Sequence, residues 1–484
     1  MTSSTLSPVR TSPRSTRTSP AAAAPAGADG FTALGVPAAL TATLTAQGIT
    51  APFPIQAATL PDSLRGRDVL GRGRTGSGKT LAFALPLLTR LTAGGRRTRP
   101  GHPRGLVLAP TRELVNQITA VLEPLAAVAG LSVTTVFGGV SQHRQVTALR
   151  AGVDLVIATP GRLEDLMGQR HIALDAVEVT VLDEADHMAD LGFLPGVKRI
   201  LDATPAGIQR LLFSATLDNG VDVLVRRYMR DPVTHSVDSA SSPVTGMTHH
   251  VLAVDGPADK RDVVHELASG TGRRVLFTRT KHAAKKLAKQ LTAAGIPAVD
   301  LHGNLSQNAR ERNLAAFSDG AVRVLVATDI AARGIHVDDV ELVVHVDPPV
   351  EHKAYLHRSG RTARAGAGGT VVTVMLTEQR GDVRTLMRQA GITAEHSPAS
   401  AGAPVLRRLV GDRAAHVEPA AAPVPATGPS GARGRSRPSG GAQAGGGRAG
   451  STRAGSPRSG TPRAGGAPRT AVDVSRAGGP RRGR

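Results

Sequence analysis

Five short runs at 106–109, 133–136, 155–158, 179–182 and 211–213 are dominated by apolar residues, and each ends in a polar or glycine-bearing motif. Helix-like segments separate them. Strands with one wet face alternate apolar and polar residues, whereas continuous runs suit strands covered on both faces, as in a parallel sheet. A second series follows at 275–277, 298–301, 322–327, 342–346 and 371–375. The chain is therefore expected to be α/β, with two open, doubly wound parallel-sheet domains in tandem and ligands beyond the carboxyl ends of the strands. No identity between the halves is apparent, so they are not read as a simple repeat.

Composition sets the expected boundaries. The first domain is expected over 31–235, a Ser/Pro/Thr-rich linker over 236–247 and the second domain over 248–395. Residues 1–30 and 396–484 are expected to be disordered tails, the latter rich in Ala, Pro, Gly and Arg. A chain of 484 residues with 40% hydrophobic content can bury two ordinary cores. The lack of cysteine excludes disulfides and thiolate chemistry and allows a reducing cytoplasm, the expected location. No apolar run reaches the roughly 18 residues of a membrane helix, so no membrane partner is expected. Arg10, Arg14 and Arg17 lie among Ser, Thr and Pro without the amphipathic stripe of a transit peptide.

The formal charge of +21 points to a polyanion, because basic side chains that neutralise phosphates gain affinity through counterion release. Residues 431–484 carry twelve Arg against the single Asp473, so this tail is expected to assist nucleic-acid binding. Arginine outnumbers lysine 51 to 8, so a compositional bias alone could also fill such a tail. With eight Phe, two Tyr and no Trp, base stacking is a poor candidate for the main binding mode. Contacts should instead follow the backbone, with weak sequence preference.

Gly73, Arg74, Thr75, Gly76, Ser77, Gly78, Lys79 and Thr80 form a glycine loop between a short strand at 69–71 and a helix-like run at 81–88. Backbone N–H groups at a helix start favour phosphate, Lys79 adds a point charge, and Thr80 is placed to ligate magnesium. Asp183-Glu184-Ala185-Asp186 follows the run at 177–182, which puts its carboxylates at a strand end. Asp183 is the expected magnesium partner and Glu184 the residue that orients or deprotonates water. ATP and Mg2+ are the expected cofactors.

With its surroundings, Asp183-Glu184-Ala185-Asp186 resembles the DEAD-box ATP-dependent RNA helicases of helicase superfamily 2, of the bacterial type with a basic Arg/Gly-rich C-terminal tail. The resemblance covers about 31–380 and implies RecA-like domains. It implies that Gln56, in Pro52-Phe53-Pro54-Ile55-Gln56, bonds the adenine edge and that Phe31 packs on the base; Phe53 stands where the family usually has Thr. Pro110, Thr111, Arg112, Gly139, Thr159 and Arg162 would line the RNA groove in the first domain, and Arg310 and Thr328 in the second. Asp186, Ser214, Thr216, Asp329, Arg333, His357 and Arg358 would couple ATP state to RNA binding. Arg361 and Arg364 would be arginine fingers, at three-residue spacing with Arg358 on one helix face. His336 replaces an acidic residue that touches the ribose in the family. Ala363 replaces a glycine, a change expected to be tolerated if the position is helical.

The resulting expectation is RNA-dependent ATP hydrolysis that remodels RNA, with ribosome-assembly or RNA-decay proteins as further partners. A DNA helicase of the same superfamily, or an RNA annealing chaperone acting through its basic tail, are the alternatives.

Overall fold

In the computed structural model the described residues are 30–73, 76–95, 98–217, 219–237, 246–332, 339–363 and 368–418. They build two lobes, each on a seven-stranded sheet whose strands pair in parallel. The first lobe holds β1 (Val69–Arg72), β2 (Gly105–Leu108), β3 (Val133–Val136), β4 (Leu155–Ala158), β5 (Val179–Leu182), β6 (Gln209–Ser214) and β7 (Val233–Ser236). The second holds β8 (Met247–Val254), β9 (Arg273–Phe277), β10 (Ala298–Leu301), β11 (Val324–Ala327), β12 (Val340–His345), β13 (Gly369–Leu376) and β14 (Glu395–Pro398).

The strand orders are β3-β4-β2-β5-β6-β1-β7 and β10-β11-β9-β12-β13-β8-β14. Shifted by seven, the two orders are the same, so the lobes repeat one topology although their sequences do not announce it. A sheet face needs apolar volume rather than particular residues, which lets two copies diverge. Central strands feed two cores: in β2, Val107 faces one cluster while Leu106 and Leu108 face the other. In β12, Val343 is split from Leu342 and Val344 in the same way. This two-sided burial is the origin of the continuous apolar runs.

The structure corrects the expected boundary at 395/396. Glu395–Pro398 forms β14 beside β8, and the helix Pro404–Val410 buries Leu406 and Val410 in the second lobe. Arg274, only 1% exposed, fastens this segment by donating to the carbonyls of Leu267, Gly272 and Val410 at 2.6–2.8 Å. The backbone then runs on along the lobe, Ala414 N bonding Ser269 O and Val417 N bonding Gly295 O. β14 escaped the sequence because an edge strand reading Glu-His-Ser-Pro has no apolar run. β7 escaped for the same reason; Ser236 and Met247 likewise belong to strands rather than to the linker. Residues 1–29, most of the linker and everything from 419 onward, including the Arg-rich stretch, lie outside the described residues. Among the described residues no helix is long and apolar enough to cross a membrane.

Candidate active site and nucleic-acid cleft

The glycine loop leaves β1 and enters the helix Lys79–Ala93 directly at Lys79. Gly76 and Gly78 have φ of 86° and 87°, which a side chain would resist. A Cβ on Gly78 would also stand 2.6 Å from both Gln56 Nε2 and the Phe53 ring. Lys79 is buried, and its ammonium donates to Gly73 O at 2.9 Å, spanning the loop. Gln56 braces the same loop: Nε2 donates to Gly78 O and Oε1 accepts from Phe53 N, each at 2.8 Å. Ser77 and Thr80 sit half-buried beside it. Arg74 and Thr75 lie outside the described residues.

Phe31 departs from expectation. It has no exposed surface and packs with Leu40, Leu44 and Ile55 in the first core, so it offers no face to a base. The aromatic at the mouth of the loop is Phe53, 47% exposed.

β5 delivers Asp183 and Glu184 to the loop. Glu184 takes φ 50°, a left-handed conformation costing a side-chain-bearing residue roughly 1 kcal/mol, and from it the helix Ala185–Asp190 begins. Burial pushes the Asp183 carboxyl up to about 6, against the pull of Lys79. Glu184 is buried as deeply, but its bond to His187 Nδ1 at 3.1 Å, with the charges of His187, Lys79 and Arg361, outweighs burial and holds it down at about 2. Two adjacent carboxyls are thereby given opposite tendencies. Asp186 turns away from the loop: its Oδ2 accepts from Thr216 N at 2.9 Å and Thr216 Oγ1 at 3.0 Å. Ser214 Oγ accepts from Asp186 N and donates to Thr216 O. The expected coupling residues of the first lobe thus form one network joining the ends of β5 and β6.

Arg361 is the second lobe's contribution, near enough to Glu184 to help depress its carboxyl. The expectation that Arg358, Arg361 and Arg364 share one helix face is corrected: the helix His352–Ser359 ends before Arg361, which lies in the following turn with Nε donating to His357 O. Arg364, Arg333 and His336 are outside the described residues. Arg358 is buried, makes a two-point bond to Asp329, donates to Asp347 O at 2.7 Å and covers the Phe277 ring at 5.2 Å. Ala363 is not helical as expected. Its φ is 54°, in the region where glycine is at ease.

A cleft of about 410 Å3 opens between the lobes. Pro110, Thr111, Arg112, Thr159 and Arg162 line it from the first lobe, and Gly303, Gln307 and Arg310 from the second. Thr111 Oγ1 caps the helix Arg112–Val128 by accepting from Leu114 N, and Thr159 precedes the helix Pro160–Gly168 without a side-chain cap bond, so both helix starts lie at the cleft. Gly139 leaves the space for Arg112, since a Cβ there would lie 2.1 Å from its guanidinium. Arg112 donates to Gln307 Oε1 at 3.0 Å and Arg310 to Glu113 Oε1 at 2.8 Å, so the cleft walls are bonded to one another. Burial, then the charges of Arg310 and Arg162, lower the Arg112 pKa despite Glu113. Nε and Nη1 of Arg162 have no hydrogen-bond partner among the described residues. Such crowded guanidiniums are suited to a polyanion. Thr328 is not among the lining residues; it starts the short helix Asp329–Ala332.

Sequence reasoning passed over Glu113, Gln307 and His187 as site residues. The His187 signal was available, three residues after Glu184 on one helical turn. Nothing local marks Glu113, whose partner lies 197 residues away.

A model of the DEAD/DEAH box helicase family matches residues 53–224, and one of the helicase conserved C-terminal domain matches 259–366, together more than half of the chain. The DEAD-box ATP-dependent RNA helicase 3B, chloroplastic, of Zea mays is 42% identical over 371 residues, 75% of this chain and 49% of that protein. The DEAD-box ATP-dependent RNA helicase 53 of Oryza sativa subsp. japonica is 37% identical over 390 residues, 79% of this chain and 64% of that protein. The chain thus spans between about half and two thirds of the length of these relatives. Among solved structures, S. cerevisiae Dbp5 bound to RNA and ADP BeF3 is similar with a TM-score of 0.69 at 27% identity, covering 79% of this chain and 99% of that one.

Proposed function

Since this chain belongs to the DEAD/DEAH box helicase family, we propose that it is an ATP-dependent RNA helicase that opens RNA duplexes, or strips RNA–protein complexes, by closing two lobes on ATP and RNA. The observation that carries this reading is a coincidence of a charge effect at Glu184 and hydrogen bonds across the cleft. The Arg361 charge acts on Glu184 while Arg112 and Arg310 are tied across the cleft, so one closure would assemble both sites.

The loop amides and Lys79 would hold the phosphates. Asp183 and the Thr80 hydroxyl form a hard-oxygen pair that fits magnesium, which characteristically takes few protein ligands and completes its shell with phosphate and water. Bound there, the metal would neutralise phosphate charge. Glu184, ionised at neutral pH, orients the attacking water, and Arg361 balances charge on the transferred phosphoryl group. The network of Asp186, Ser214 and Thr216 relays the state of the carboxylate loop to the end of β6.

The cleft's guanidiniums contact backbone phosphates, so the strand would be bent with little regard to sequence and its complement lost. A cytoplasmic location, a bacterial affiliation, an RNA-capturing role for the Arg-rich tail and ribosome-assembly or RNA-decay partners belong to the same proposal. The two curated relatives described above, from Zea mays and Oryza sativa subsp. japonica, are plant proteins. Lys79→Ala should lose nucleotide binding, whereas Glu184→Gln should bind ATP and RNA yet trap the closed complex. Wild-type turnover by Glu184→Gln, or stimulation by single-stranded DNA as strong as by RNA, would contradict the reading.

A further inference from the structure

The helix His352–Ser359, which leads to Arg361, rests on polar side chains set in an otherwise apolar layer. Phe277 of β9, His345 of β12 and Thr373 of β13 are register partners on adjacent strands, and therefore stand in a row on one sheet face. His249 of β8 pairs with Val371 and shares that face. Tyr355 descends from the helix into this row with no exposed surface. Its hydroxyl lies 2.8 Å from His249 Nδ1, and its ring meets His345 edge-on, with centroids 4.7 Å apart. His345 Nδ1 in turn lies 3.2 Å from Thr373 Oγ1.

Apolar residues would bury the helix equally well. The Nε2 atoms of His249 and His345 find no hydrogen-bond partner among the described residues, a cost that an apolar layer would avoid. Directional contacts give what apolar packing does not, a fixed rotation of the helix about its axis. Tyr355 and Arg358 are three residues apart and so share a side. Arg358 closes the set by covering the Phe277 ring, and Arg361 follows one turn later.

We propose that His249, His345 and Tyr355 are positioning residues for ATP hydrolysis, a buried imidazole–phenol–imidazole stack that sets the rotation of this helix and so the aim of Arg361 at Glu184. The proposal rests on the ATPase reading above. Both rings work as neutral groups: burial lowers each imidazole, with Arg358 and His249 facing His345 and His250 beside His249 adding to the effect.

The test is steady-state ATP hydrolysis by the full chain at saturating RNA. Tyr355→Phe and His249→Leu should each lower kcat about five- to tenfold while KM for ATP changes less than about twofold, because the first lobe's loop is untouched. His249→Asn, which keeps a polar atom near the Nδ1 position, should recover most of the loss. In an Arg361→Ala background Tyr355→Phe should add nothing, since it acts through that guanidinium. Full kcat in both variants, His249→Asn as slow as His249→Leu, or an undiminished effect of Tyr355→Phe without Arg361 would overturn the proposal. A wild-type chain with no RNA-stimulated hydrolysis would instead remove the reading beneath it.

Discussion

Arg310 Nε donates to Glu113 Oε1 at 2.8 Å, joining the helix Gln307–Ser318 of the second lobe to the helix Arg112–Val128 of the first. The side chains are 13% and 9% exposed, so this is a largely desolvated pair rather than a surface one. Removing one partner strands the other charge, which costs on the order of 2–4 kcal/mol. Glu113→Ala should therefore disfavour the closed arrangement, read as lower interlobe energy transfer between dyes on the two lobes with ATP and RNA bound. The exchange Glu113→Arg with Arg310→Glu should restore part of it. Unchanged energy transfer in Glu113→Ala would show that the pair does not hold the lobes together.

Gly139 makes room for Arg112, at φ 75° and with a hypothetical Cβ 2.1 Å from the guanidinium. Gly139→Ala should displace Arg112 and strain the backbone, lowering stability by about 1 kcal/mol. Loss of one phosphate contact should reduce the slope of log affinity against log salt by roughly 0.7 for single-stranded RNA. An unaltered salt slope would remove Arg112 from the RNA contacts.

His249 links stability to pH. Its folded imidazole is lowered to about 4 by burial and by His250, from an ordinary value of 6.5. Above pH 6.5 the ring is neutral folded or unfolded, and its contribution is fully present. As pH falls from 6.5 toward 4 the unfolded chain takes up the proton first, so stability is lost by roughly 2–3 kcal/mol. Thermal unfolding of His249→Leu should show a shallower decline over that window than the wild type. An identical decline would mean that another group titrates.

The glycine loop and Asp183-Glu184 stand out in the sequence because the expected chemistry needs glycine, lysine and carboxylate at fixed places beside apolar strands. The two-sided sheets were legible because burial on both faces writes a continuous run, as at Leu106, Val107 and Leu108. β7 and β14 were not, since edge strands half in water need no run. The left-handed backbone at Glu184 and Ala363, the burial of Phe31 and the Glu113–Arg310 pair depend on how distant segments meet, which no local pattern records. Arg361 was expected on a helix, but that helix ends two residues earlier.

On the proposed reading, one closure completes both the ATP site and the RNA cleft. The decisive experiment is single-turnover ATP hydrolysis by the full chain, with and without single-stranded RNA, for the wild type and Arg361→Ala. Hydrolysis should be slow without RNA, at least about tenfold faster with it, and returned near the slow rate by Arg361→Ala. Equal rates with and without RNA, or RNA stimulation that survives Arg361→Ala, would contradict it.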